Sequence, residues 1–315
     1  MPIAMNVQLL ARAEAAYLGL AIGDALGATV EFMTPAEIAR QYGVHRHIVG
    51  GGWLKLKAGQ VTDDTTMSWA LGDAIRQAEG RVEALACAIA FDTWMRGKPV
   101  DIGNTVRRNL IQFRRSGMAE APPSEHDAGN GAAMRVLPVA LAYLGEDEAA
   151  LRAACRTQAH VTHHNPVSDA ACEFIALAVR DAVLGADLRQ LYRGRIKPLL
   201  AAFPQFAYRK RRQENPSGYV VDTLQCVLQA LMDTGSFKDC LTQVVNCGGD
   251  ADTTGAIAGM LAGALYGPTA LPEAWVQALL PEVRQRCVNQ ARQLVACGLL
   301  RTLSQATPPG QRAAA

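Results

Sequence analysis

Helical periodicity runs through nearly the whole of this chain, and that pattern limits its fold more than any other feature. From Val7 to Gly23 the apolar residues Leu9, Leu10, Ala13, Ala16, Tyr17 and Leu20 recur at three- and four-residue spacing, and the run meets GDALG at its end. Further helical patterns cover roughly 82–96, 103–115, 131–144, 148–161, 167–184, 187–201, 218–233, 237–246, 253–265, 273–279 and 281–303. The apolar-polar alternation of a half-buried strand is almost absent. Half of the residues are hydrophobic, alanine supplies much of that half and aromatics only 6%, a mixture that favours closely packed helices over sheets. The expected fold is all-α. At 315 residues, length alone would suggest two domains, yet no repeat, low-complexity block or linker divides the chain. We therefore expect a single compact multi-helix domain over residues 1–304, with 305–315, ending in ATPPGQRAAA, a disordered tail that has nothing to bury.

The formal charge of +2 gives no reason to expect nucleic acid as a partner. No segment approaches the 18 or so uninterrupted apolar residues of a membrane span, and MPIAMNVQLLARAEAA carries Glu14 and lacks the apolar core of a secretory leader. The eight cysteines are scattered without a CxxC pair, which fits buried free thiols in a reducing cytoplasm, the expected location. Residues 207–218, AYRKRRQENPSG, read as a polar loop whose charges form a solvated face. Val283, Cys287, Ala291, Leu294 and Val295 on the last helix are expected to dock on the protein's own core.

Two acidic clusters share one ligand vocabulary. TDDTT opens a helix after the loop GGGWLKLKAGQ, with Thr62 placed to cap it and Asp63 and Asp64 in its first turn. GGDADTTGAIAG sets Asp250 and Asp252 one residue apart, follows them with Thr253, and wraps them in glycine. Each aspartate alone could be a helix N-terminal residue favoured by the dipole. Together, four carboxylates without cations would repel and be pushed to high pKa, whereas divalent ions would make the cluster favourable. Oxygen-only ligation selects Mg or Mn over Zn or Cu.

Over nearly its whole length the chain resembles the ADP-ribosylglycohydrolase family, most closely the branch that reactivates dinitrogenase reductase. The resemblance rests on GLAIGDALGATVEF (19–32), GQVTDDTTMS (59–68), PVDIGNT (99–105), DAGNGAAMRVLP (127–138), VTHHN (161–165), GYVVDTL (218–224) and GGDADTTGAIAGMLAGALYG (248–267). It implies an all-α fold, a centre of two divalent cations, Mn or Mg, and hydrolysis of the bond joining ADP-ribose to a protein arginine. The implied metal ligands are Thr62, Asp63, Asp64, Asp250, Asp252 and Thr253, with Glu31 beside the site. Two such ions can hold sugar hydroxyls and activate a water. The implied substrate is an ADP-ribosylated protein, dinitrogenase reductase for this branch, and a PII-type signalling protein is an implied regulatory partner.

Cleaving an N-glycosidic bond to arginine builds positive charge on the ribose and needs the guanidine to leave protonated, tasks for nearby carboxylates. Asp101 resembles the family carboxylate at the scissile bond, with Asp64 and Glu31 as further catalytic candidates. A helix cap is the other reading of Asp101. Asn104 is expected to contact ribose or water. Gly129, Asn130 and Gly131 form a turn whose backbone donors suit a pyrophosphate, or a plain loop-to-helix turn. Glu125 and Met134 resemble pocket-wall positions, though a methionine at helical spacing also suits a core. His163 matches a family histidine near the ribose or phosphates. His160 and His164 read as structural, and Asn165-Pro166 stands where the family commonly has another histidine. Tyr219 could stack on the adenine or be a core tyrosine. Two other functions share these features: a non-catalytic ADP-ribose binding protein, against which the intact acidic clusters stand, and a prenyl synthase, which would need a DDxxD pattern and more aromatics.

Overall fold

A computed structural model of the chain describes residues 7–306, so the expected tail lies outside the described residues except at its first two positions. The helices are α1 (Val7–Gly27), α2 (Pro35–Tyr42), α3 (Asp63–Gln77), α4 (Ala84–Arg96), α5 (Asn104–Ser116), α6 (Leu137–Ala142), α7 (Glu148–His160) and α8 (Pro166–Val183). They continue with α9 (Leu188–Leu191), α10 (Lys197–Ala202), α11 (Val220–Asp233), α12 (Phe237–Val245), α13 (Ala251–Tyr266), α14 (Glu273–Ala278) and α15 (Pro281–Ala306). Among the described residues there is no β-strand, only the isolated bridges Gly51–Leu56 and Gly129–Tyr219. No helix among them is long and apolar enough to cross a membrane.

The core is organised around α1 and α13, which pack backbone against backbone. A Cβ added at Gly19, Gly23, Gly255 or Gly259 would run into the carbonyl of the glycine opposite, and one at Gly27 into that of Ala251. Small residues every fourth position thus form a flat stripe on each helix, as ridges-into-grooves packing at its closest demands. Helix α13 is almost wholly buried, and α1 is buried along its second half. The others pack around this pair, with α15 against α1, α3 and α6, and α8, α11 and α12 against α13. The expected stripe on α15, from Val283 to Val295, is buried in that core. The cysteines are free thiols, seven buried and Cys297 half-buried.

Three stretches differ from the sequence expectation. Helix α2 adds to the expected set; its Thr34-Pro-Ala-Glu37 start forms a capping box. The helix expected over 131–144 is reduced to Leu137–Ala142, with turns before it. Asn130 N–H is tied to Gly218 O (3.0 Å), and Pro138 lacks the N–H that a continuous helix would donate to Met134. The pattern over 187–201 is interrupted by a π-helical turn, Tyr192–Ile196, between α9 and α10.

Candidate metal centre and active site

The first turns of α3 and α13 meet although 189 residues separate them, with the Thr253 hydroxyl 3.4 Å from Asp64 Oδ2. The Thr62 hydroxyl lies 3.1 Å from the same oxygen. Thr62 occupies the N-cap position of α3, but its side chain makes no capping hydrogen bond. That expectation is corrected, because Asp24 of α1 does the capping instead. Its carboxylate accepts from Thr62 N (3.0 and 3.1 Å), Thr65 N (3.2 Å) and Thr65 Oγ1 (2.5 Å), so α1 fixes where Asp63 and Asp64 stand.

Glu31 is brought in by the turn that follows α1. Phe32 N donates to Gly249 O (2.7 Å) and Gly249 N to Met33 O (3.0 Å), which clips this turn to the loop before α13. Gly248 and Gly249 have φ of +71° and +64°, and a Cβ on either would strike a backbone carbonyl. One oxygen each from Glu31, Asp250 and Asp252 then lie within 4.8 Å of one another. Trp53 Nε1 donates to Glu31 Oε2 (2.6 Å), and Asn130 Nδ2 to Asp250 Oδ2 (2.6 Å). Thr253 N donates to Asp252 Oδ1 (2.8 Å).

The hydrogen-bond partners of these carboxylates are neutral: Trp53, Thr62, Asn130 and Thr253. Burial therefore pushes them up, and their mutual repulsion adds to it. Glu31 and Asp63 are raised to about 8, and Asp64 and Asp252 well above the usual carboxylate range. Asp250 is also raised, mainly by burial. Asp64 Oδ1 is buried and has no hydrogen-bond partner among the described residues. An orphaned buried carboxylate oxygen, on a residue whose other oxygen lies beside the Thr62 and Thr253 hydroxyls, fits a divalent cation, as does the Glu31, Asp250 and Asp252 group.

Asp101 is half-buried on the loop before α5. Its charge raises the pKa of Glu31, Asp63 and Asp250, so it belongs to the same group of carboxylates. It does not cap α5; Gly103 is the N-cap, and Asp101 Oδ1 accepts from Ile102 N (2.7 Å). Asn104 is exposed and lines a groove along α5.

The segment Gly129–Gly131 lies against the N-terminal side of α11: Val220 N donates to Ala128 O (3.0 Å) and Asn130 N to Gly218 O (3.0 Å). Tyr219 is thereby held beside Gly129, and at 43% exposure it is not a core tyrosine. His163 is buried beneath the turn, its ring so close to Gly129 and Gly131 that a Cβ on either would touch it. Burial, with the charges of Arg135 and Arg108, lowers His163 to about 3, so it is neutral. Arg135 donates to Thr162 Oγ1 (2.8 Å), and that hydroxyl is in turn hydrogen-bonded with His163 Nδ1 (2.8 Å). Met134 is buried in the core, and Glu125 is exposed on the loop before Asp127. His160 stacks on His164 and bonds Asp169 (3.0 Å), and His164 bonds Ala121 O (2.8 Å).

Residues 5–305 match the family ADP-ribosylglycohydrolase. The chain belongs to the ADP-ribosylglycohydrolase family. It is 48% identical over 285 residues to the ADP-ribosyl-[dinitrogen reductase] glycohydrolase of Rhodospirillum rubrum, covering 90% of this chain and 96% of that one. It is 34% identical to an ADP-ribosylarginine hydrolase of Pseudomonas putida (strain GB-1), covering 86% and 74% of the two chains. A solved structure, "ADP-ribosylglycohydrolase-related protein complex", superposes with a TM-score of 0.82 at 32% identity, covering 92% of this chain and 99% of that one. The expected family and all-α fold of this ADP-ribosylglycohydrolase are thus both borne out.

Proposed function

We propose that this protein is a metal-dependent glycosyl hydrolase that cleaves the N-glycosidic bond between ADP-ribose and a protein arginine. The observation that carries the reading is that the two clusters meet, Thr253 against Asp64, next to the buried Glu31, Asp250 and Asp252 group and with one Asp64 oxygen left without a partner. Relatives whose names carry this activity match along most of their length. Thr62, Asp63, Asp64, Asp250, Asp252 and Thr253 are the residues that would hold divalent ions. Bound there, such ions neutralise the carboxylates and activate a water as nucleophile.

The chain's own residues do the rest. Glu31, steered by Trp53, stands at the edge of the cluster. Asp101 is placed to stabilise charge developing on the ribose and to help the guanidine leave protonated. The Gly129–Gly131 turn offers backbone to the phosphates, with neutral His163 beneath it, and half-exposed Tyr219 beside it offers a ring face to the adenine. The substrate we propose is ADP-ribosylated dinitrogenase reductase, in line with the relative from Rhodospirillum rubrum. The choice of Mn or Mg, a count of two ions and a PII-type partner rest on the family resemblance, and a cytoplasmic location on the unpaired cysteines.

Initial rates on matched peptides carrying arginine-linked or serine-linked ADP-ribose test the reading. Arginine-linked ADP-ribose should be released much faster, because a site built for a planar, multi-donor guanidinium leaves acceptors unpaired when a hydroxyl departs. Equal rates, or faster release from serine, would overturn it.

A further inference from the structure

We propose that the arginine-bearing face of α5 is a docking surface for an acidic segment of the modified protein, next to the arginine that carries ADP-ribose. The proposal rests on the hydrolase reading above and adds to it what the protein part of the substrate looks like.

Helix α5, NTVRRNLIQFRRS, carries four arginines and no acid. Its buried face, Val106, Asn109 and Leu110, is fixed to the site: Asn109 Nδ2 donates to Thr162 O (2.6 Å) and to Asp127 Oδ2 (3.2 Å), and Val106 lies against Gly131. The helix therefore cannot move independently of the Gly129–Gly131 turn. Two of the arginines are neutralised, Arg108 by Asp127 and Arg114 by Asp92. Arg107 and Arg115 have no carboxylate partner among the described residues, and eight residues apart they fall on one side of the helix with Ile111 between them. With Asn104, Arg108 and Gln112 they line an open groove of about 560 Å³.

The groove begins at Asn104, three residues from Asp101, whose charge acts on Glu31, Asp63 and Asp250. Asp101 is the carboxylate assigned above to the scissile bond, so the groove's first residue stands within about 11 Å of chain from it. A polypeptide whose modified arginine reaches that point would pass over the groove mouth. From Asn104 to Arg115 the helix rises about 16 Å, which about five residues of extended chain span. Acidic side chains within about five residues of the modified arginine would therefore meet Arg107 and Arg115. Unpaired positive charge on the rim would attract an acidic segment and hold it beside the site.

The test compares three substrates: free ADP-ribosyl-arginine, an ADP-ribosylarginine peptide with Asp and Glu within five residues, and the same peptide with Asn and Gln. They are assayed with the parent protein, with Arg107→Glu/Arg115→Glu and with Arg107→Gln/Arg115→Gln, each checked by thermal melting. For the acidic peptide alone, KM should rise about threefold to tenfold in the charge-reversed protein, less in the neutral one, and also in the parent at high salt. The turnover number and the other two substrates should be unaffected. Equal KM for acidic and neutral peptides in the parent would overturn the docking surface while leaving the hydrolase reading intact. A KM for free ADP-ribosyl-arginine that rises as much would place the two arginines on the ADP-ribose phosphates instead. A parent that releases ADP-ribose from none of the three would overturn the hydrolase reading, and the docking surface with it.

Discussion

Replacing Asp24 by alanine separates the positioning of the metal centre from the stability of the fold. The change removes the acceptor for two buried amides, Thr62 N–H and Thr65 N–H, and for the Thr65 hydroxyl. The hydroxyl can turn elsewhere, so the two amides set the loss, at about 1–3 kcal/mol each or about 2–6 kcal/mol together. Against this stands a relief. Burial raises Asp24 from 3.8 to about 6, so carrying its charge costs the folded state about 3 kcal/mol above pH 7. Set against each other, these leave metal-stripped Asp24→Ala near pH 8 between about 1 kcal/mol more stable and about 3 kcal/mol less stable than the parent, centred on a loss of about 1 kcal/mol. Because a raised carboxylate contributes stability that is present below its unfolded pKa and lost as pH rises through about 6, the deficit of the variant should be larger at pH 5 than at pH 8. Metal binding should suffer as well. With the start of α3 untied, affinity for Mn should fall about 10- to 100-fold, as when a group orienting a ligand is removed. Urea unfolding of the stripped protein and calorimetric titration with Mn measure the two quantities. A variant that binds Mn as tightly as the parent would refute the positioning role of Asp24.

Asp252→Ala removes a carboxylate proposed as a metal ligand, and calorimetry should show Mn binding weakened or lost, with turnover abolished. Asp101→Asn keeps an oxygen to accept from Ile102 N and is assigned no metal, so it should melt normally and retain both metal and ADP-ribose binding. Its single-turnover rate should fall about 10²- to 10⁴-fold, the usual loss of a positioned acid or base. In the metal-free protein, Glu31 and Asp63 at about 8 give stability that is present below about pH 4 and lost as pH rises through about 8. Melting in a chelator should therefore occur at lower temperature at pH 8 than at pH 5.5, and saturating Mn should reverse that trend.

What the sequence made legible was local. Helical spacing over Val7–Gly23 and the two aspartate clusters each lie within a few residues, and both clusters do sit at helix starts. The role of Asp24 was hidden because its partners lie 38 and 41 residues away, across the contact of α1 with α3. GDALG was a hint, an aspartate in the otherwise apolar C-terminal half of α1. Trp53 looked like part of a glycine-rich loop, and its bond to Glu31 depends on how that loop folds back. Periodicity over 131–144 misled because apolar spacing persists through a segment whose backbone is pinned to Gly218 and interrupted by Pro138. The fully buried Arg135 belongs to the same segment. It is held by Gln158 Oε1 and O (both 2.9 Å) and by Thr162, and lies over the Phe91 ring. No short pattern announces such a site, because its partners come from other helices.

The central claim is that the paired aspartate clusters make this chain a metal-dependent hydrolase of arginine-linked ADP-ribose. It is tested most directly by incubating the metal-stripped protein with ADP-ribosylated dinitrogenase reductase, with and without added Mn, and quantifying free ADP-ribose. Release with Mn and near-background release in the chelator is the predicted result. Equal release in both, or none in either, would contradict the account.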